Sequence, residues 1–158
     1  MRSLPLLLLL TISVACRVEP PPGESTNPDN RPRVSVQVFL VYEMVGAGIE
    51  QRKIDSTGEI VLLARRPDLT EGDISWATLL TDAGGLRPAV LVHFTPSGRD
   101  KLELLTRQNV GKRLAIVVEG KILSAPLIRT AIRDGRATIQ GFRSVQEAQR
   151  VADALAWR

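Results

Sequence analysis

The chain has 158 residues, a formal net charge of +4, one histidine, one cysteine and only 4% aromatic residues. A single histidine and a single cysteine leave too few ligands for a zinc or transition-metal centre, and a lone cysteine cannot close an internal disulfide. With so few aromatics, the core has to be built from Val, Ile, Leu and Ala.

At the N-terminus Arg2 precedes an apolar run from Leu4 to Val14, which ends in Ala15-Cys16. That is the layout of a secretory signal. At ~1.5 Å per residue the run reaches about half of a ~30 Å hydrocarbon core, too short for a span. Cys16 follows a small residue at the end of the run, and Ser13-Val14-Ala15-Cys16 resembles the lipobox of bacterial lipoproteins, with Ser13 where leucine is usual. The expected boundaries are a lipoprotein-type signal over 1–15, with acylation at Cys16. An ordinary signal peptide cut nearby, or an uncleaved anchor, is the alternative. Residues 17–33 are dominated by Pro, Gly, Ser, Thr, Asn and charge, with no apolar periodicity to bury. With Cys16 they make a lipidated, disordered tether over 16–33, leaving one domain over 34–158.

Within that domain, Val34–Tyr42 starts with alternating apolar residues and is rich in β-branched types, which predicts a strand. Residues 60–64 predict a second strand after the Ser56-Thr57-Gly58 turn. Residues 74–80 and 89–94 predict two more, joined across a Gly84-Gly85 loop. The period then changes. Thr95-Pro96-Ser97 is a helix start, with Leu102, Leu105 and Thr106 facing the core and Asn109 or Gly111 closing the helix. Residues 113–118 and 121–123 flank a Glu119-Gly120 hairpin turn, and 137–140 form the last strand. Ser144 stands three residues before Glu147, a capping box, and Ala148, Val151, Ala152 and Leu155 then recur at helical spacing. The expected class is α+β, a mainly antiparallel sheet with two helices packed on one face.

The chemistry-bearing residues favour binding over catalysis. There is no P-loop, no G-x-G-x-x-G and no G-x-S-x-G elbow. A Ser-His-Asp set is not excluded by counting, but His93 sits in a strand pattern where a structural or edge role is expected. No cofactor is expected. Between Arg99 and Arg143 ten basic residues face four acidic ones, net +6. No basic-aromatic stacking platform accompanies them, so nucleic acid is not an expected partner. Two readings of the excess stay open: a solvated face, or a headgroup-facing patch of Arg107, Lys112, Arg113, Arg129, Arg133 and Arg136.

The order of elements and the residues at their joints resemble the SecD family, in the head of its first periplasmic region. The marks are HFTPSG at 93–98, LLTRQNVGKRLAIVVEGKILSAPLI at 104–128, IRDGRATIQGF at 132–142 and PDLTEGDISWA at 67–77. Most of these residues are turn and joint residues, so the signature marks a fold and not a catalytic site. The resemblance implies a non-enzymatic domain that contacts exported polypeptide, or the Sec export machinery, outside the cytoplasmic membrane. SecD continues from the corresponding helix into membrane spans, whereas this sequence ends at Trp157-Arg158. The expectation is a lipid-anchored binding module of the cell envelope without proton coupling of its own. Its expected contact surface lies beside the hairpin, at Arg113, Lys121, Ile122, Leu123 and Pro126. A structural or lipid-contacting envelope protein is the alternative.

Overall fold

In the computed structural model the described residues are 33–156, apart from 83, 85 and 86, and they fall within one compact unit. The signal-like leader, Cys16 and the tether through residue 32 lie outside the described residues.

The strands are β1 (Val36–Tyr42), β2 (Ile49–Lys53), β3 (Ile60–Ala64), β4 (Leu69–Thr70), β5 (Ile74–Leu80), β6 (Ala89–Phe94), β7 (Leu114–Val118), β8 (Lys121–Ser124) and β9 (Arg136–Ile139). The helices are α1 (Pro96–Gln108) and α2 (Val145–Leu155), with a 3₁₀ turn at Glu71–Asp73. The α+β class and the antiparallel pairing agree with the sequence. The strands nevertheless divide between two sheets where one was expected: a larger one in the order β2-β3-β1-β7-β8, with β4 also pairing β1, and a smaller one in the order β5-β6-β9.

β7 explains the division. Leu114, Ala115, Ile116, Val117 and Val118 are all buried, so this strand has packing partners on both faces. A continuous apolar run is what a doubly covered strand requires, whereas a strand with one wet face alternates. Ala115 and Val117 join Phe39, Leu63 and Ile122 in one core, while Ile116 and Val118 join Val90, Val92, Ile139 and the apolar stripe of α2 in another. Ile54 bridges Ile122, and the Asp55 N–H donates to the Ile122 carbonyl at 3.1 Å, so the end of β2 meets β8 and the larger sheet curls around the first core.

The helix signals operate as the sequence implied. Thr95 Oγ1 accepts from the Gly98 N–H at 3.0 Å, Pro96 stands in the first turn, and Asn109 ends α1. In α2 the Ser144 hydroxyl accepts from the Glu147 N–H at 3.1 Å. The return bond of the box is shifted by one residue: Glu147 Oε2 accepts from the Arg143 N–H at 2.8 Å. Ala148, Val151, Ala152 and Leu155 are buried against the smaller sheet, each large side chain contributing about 1.5–3 kcal/mol of burial. Among the described residues no helix is long and apolar enough to cross a membrane.

Candidate apolar cleft and its rim

The sequence-derived contact residues separate in space. Ile122 and Leu123 are only 1% and 7% exposed and belong to the two cores, so neither presents its side chain to a partner. The expectation of a contact surface made from them is corrected by the alternation of β8, whose turn-side lysine is exposed while the following apolar pair is shared between the cores. Arg113 clamps separate segments together at the surface: its two terminal nitrogens donate to the Glu59 carboxylate, and Nε donates to the Ala125 carbonyl at 2.7 Å. The hydrogen bond from Arg113 holds Glu59 below the usual carboxylate range, and the same bond raises Arg113. Lys121 is exposed at the hairpin turn. Pro126 alone of the five lies on the main cleft.

That cleft has a volume of about 520 Å³, within the ~300–1,000 Å³ usual for ligand sites. The larger sheet supplies Val36, Val38, Leu114 and Ile116 to its lining, and the smaller sheet supplies Val92, Phe94, Ala137 and Ile139. Leu102 of α1 also lines it. The remaining wall is the connection from β8 to β9, with Pro126, Leu127, Ile128, Arg129, Thr130 and Ile132.

Local hydrogen bonds hold that connection in place. The Leu114 N–H donates to the Pro126 carbonyl at 2.9 Å, and the Ile128 N–H to the Lys112 carbonyl at 2.7 Å. Further on, the Ile132 N–H donates to Thr106 Oγ1 at 2.9 Å, while that hydroxyl donates to the Leu102 carbonyl at 2.7 Å. Thr106 is fully buried, and its hydroxyl thereby ties the wall of the cleft to α1. Leu127, held between these anchors, is still 53% exposed.

Among the described residues, three charged ones line the cleft: Arg129, Asp134 and Arg136. Asp134 takes both the backbone N–H of Arg136 at 3.2 Å and its Nε at 3.1 Å. Those bonds, the backbone one foremost, hold the Asp134 carboxyl below its ordinary value. Of the six residues of the basic patch, Arg113, Arg133 and Arg136 are ion-paired, to Glu59, Glu103 and Asp134. Arg107, Lys112 and Arg129 are exposed, with Lys112 donating to Asn109 Oδ1 at 3.0 Å.

His93 is not among the residues that line the cleft. Its ring stacks on Trp76 with centroids 3.7 Å apart and 12° between planes, across the β5–β6 register. Among the described residues, no group of three or more His, Cys, Asp or Glu side chains is placed to hold a metal ion. Sequence reasoning missed the cleft because its wall, Leu127 to Ile132, has no regular period. The available signal was an apolar pair directly after a proline, outside any strand or helix pattern.

The family model for the SecDF P1 head subdomain matches residues 47–156. Protein translocase subunit SecDF of Thermus thermophilus is 50% identical over 89 residues, covering 56% of this chain and 12% of the relative. Protein translocase subunit SecD of Acidaminococcus fermentans is 30% identical over 121 residues, covering 73% of this chain and 29% of the relative. The chain thus spans less than a third of these relatives. Among solved structures, SecDF in its super-membrane-facing form matches with a TM-score of 0.63 at 33% identity, over 78% of this chain and 18% of that one. A structure described as a membrane component SecDF that enhances protein export matches with a TM-score of 0.62 at 30% identity, over 86% of this chain and 70% of that one. The joints that define the domain, the Thr95 cap, the Glu119-Gly120 turn and the Ser144 cap, lie within the matched stretch. The chain belongs to the SecDF P1 head subdomain family.

Proposed function

We propose that this domain is a binding module for extended, unfolded polypeptide in protein export, and that the apolar cleft between its two sheets is the binding surface. The observation that carries the reading is the cleft itself: about 520 Å³ lined from both sheets by Val, Leu, Ile and Phe, with an exposed leucine on its wall. Apolar side chains of an unfolded chain gain by leaving water for such a surface, and a folded protein has few to offer. The reading needs no bond making or breaking, and no catalytic role is assigned to His93 or Asp73.

The same proposal places the domain in the cell envelope, outside the cytoplasmic membrane, with Cys16 acylated and residues 17–33 as the tether. Intact-mass spectrometry of the native protein tests this part: cleavage before Cys16 with added acyl mass supports it, and an unmodified chain that keeps its leader contradicts it.

The cleft is tested by fluorescence anisotropy of a labelled, urea-unfolded secretory polypeptide diluted into the full chain. Leu127→Asp puts a charge on the wall at a residue that is already half in solvent, so the fold is kept. About tenfold weaker binding is expected, matching one lost apolar contact plus charge desolvation. Unchanged affinity in this variant contradicts the cleft as the site.

A further inference from the structure

The smaller sheet ends in an open edge beside the cleft. Its order is β5-β6-β9, and β9 pairs only with β6 among the described residues. In antiparallel pairing, residues alternate between those whose N–H and C=O face the partner strand and those whose groups face away. The Phe94 N–H donates to the Gly135 carbonyl at 2.9 Å, and the same register places Val92 opposite Ala137 and Val90 opposite Ile139. Gly135, Ala137 and Ile139 therefore bond to β6, and Arg136 and Thr138 turn their backbone groups outward.

Asp134 satisfies the outward N–H of Arg136. Among the described residues, the Arg136 carbonyl and the Thr138 N–H and carbonyl have no partner of this kind. Arg136, Thr138 and the apolar residues that flank them all line the cleft, so edge and apolar wall form one surface. Arg129 also lines the cleft, exposed and outside every ion pair of the described residues, while Asp134, the one carboxylate among the described lining residues, is already engaged by Arg136. The net charge of this lining is positive.

We infer that the bound polypeptide adds to β9 as a fourth strand, with alternate apolar side chains in the cleft and an acidic residue of the bound segment meeting Arg129. This rests on the cleft reading above and gives it a mode and a preference. Backbone pairing tolerates many sequences, which suits a site for varied clients. The cleft selects apolar residues at alternate positions, and Arg129 favours segments that carry a carboxylate beside them.

The probe is a short labelled peptide alternating valine and threonine with a terminal glutamate, tested by anisotropy against the full chain. Two versions carry N-methyl groups on alternate amides, one in each register. Strand addition requires that one version lose about tenfold in affinity, from one or two lost hydrogen bonds, while the other binds like the parent. Thr138→Pro removes an outward N–H without touching the ladder to β6, and the same loss is expected. Arg129→Glu is expected to weaken the glutamate peptide about tenfold and to leave its glutamine counterpart unchanged. If the parent peptide binds and both methylated versions bind equally well, the strand mode is overturned and the cleft stands. If the parent itself does not bind, both fail.

Discussion

Asp73 shows how much one residue can organise in this domain. Its carboxylate accepts from the Thr70 N–H at 3.0 Å and from Lys101 Nζ at 2.7 Å, and its carbonyl accepts from the Thr95 N–H at 2.8 Å. One residue thus joins the 3₁₀ turn, the start of α1 and the end of β6. Burial is the largest single influence on its ionisation and works against the charge, yet Lys101 and Thr70 together outweigh it and the pKa is lowered. Glu59 and Asp134 are lowered as well. For all three the folded pKa lies below the unfolded one. The stability they contribute is therefore complete above the unfolded value, about pH 4, and is lost as pH falls through the folded values. A urea midpoint measured against pH is expected to decline only below about pH 4, and Asp73→Asn to lower it at neutral pH by the equivalent of about 1–2 kcal/mol. Gly98 belongs to the same joint. A Cβ there would stand 2.3 Å from the Asp73 carbonyl oxygen, so Gly98→Ala is expected to cost about 1–3 kcal/mol by thermal unfolding.

The elements with several agreeing local signals were legible in the sequence, and those defined by tertiary pairing were not. α2 carried a cap, an acidic first turn and a four-residue apolar stripe, and its span and buried face follow directly. Ser144→Ala is expected to destabilise by about 1 kcal/mol in chemical denaturation, because the Glu147 N–H loses its acceptor. The hairpin was equally plain: Glu119 and Gly120 both have positive φ, 49° and 80°, which matches the twist of the paired strands. β2 left no such trace. Its Ile-Glu-Gln-Arg-Lys is mostly exposed, and only pairing with β3 makes it a strand. β4 is two residues long and exists through its register with β1.

At the scale of the whole molecule, alternation gave the faces of single strands but not their allotment to two sheets, which depends on what covers each face. β7 signalled it faintly by lacking any polar position. The site followed the same rule. Pro126 was among the expected contact residues, while Leu127 and Arg129 became site residues only because Thr106 and Lys112 pin the loop that carries them. Ile122 and Leu123 were misplaced for the converse reason, since apolar residues near a turn read as contact surface until a core claims them. The most direct measurement of polypeptide binding in the cleft is photo-crosslinking in intact cells, with the reactive residue placed at Leu127 or at the exposed Ile60 of β3, which does not line the cleft. Capture of newly exported chains from position 127, and much less from position 60, is the expected result. Equal capture from both positions, or none from position 127, would contradict it.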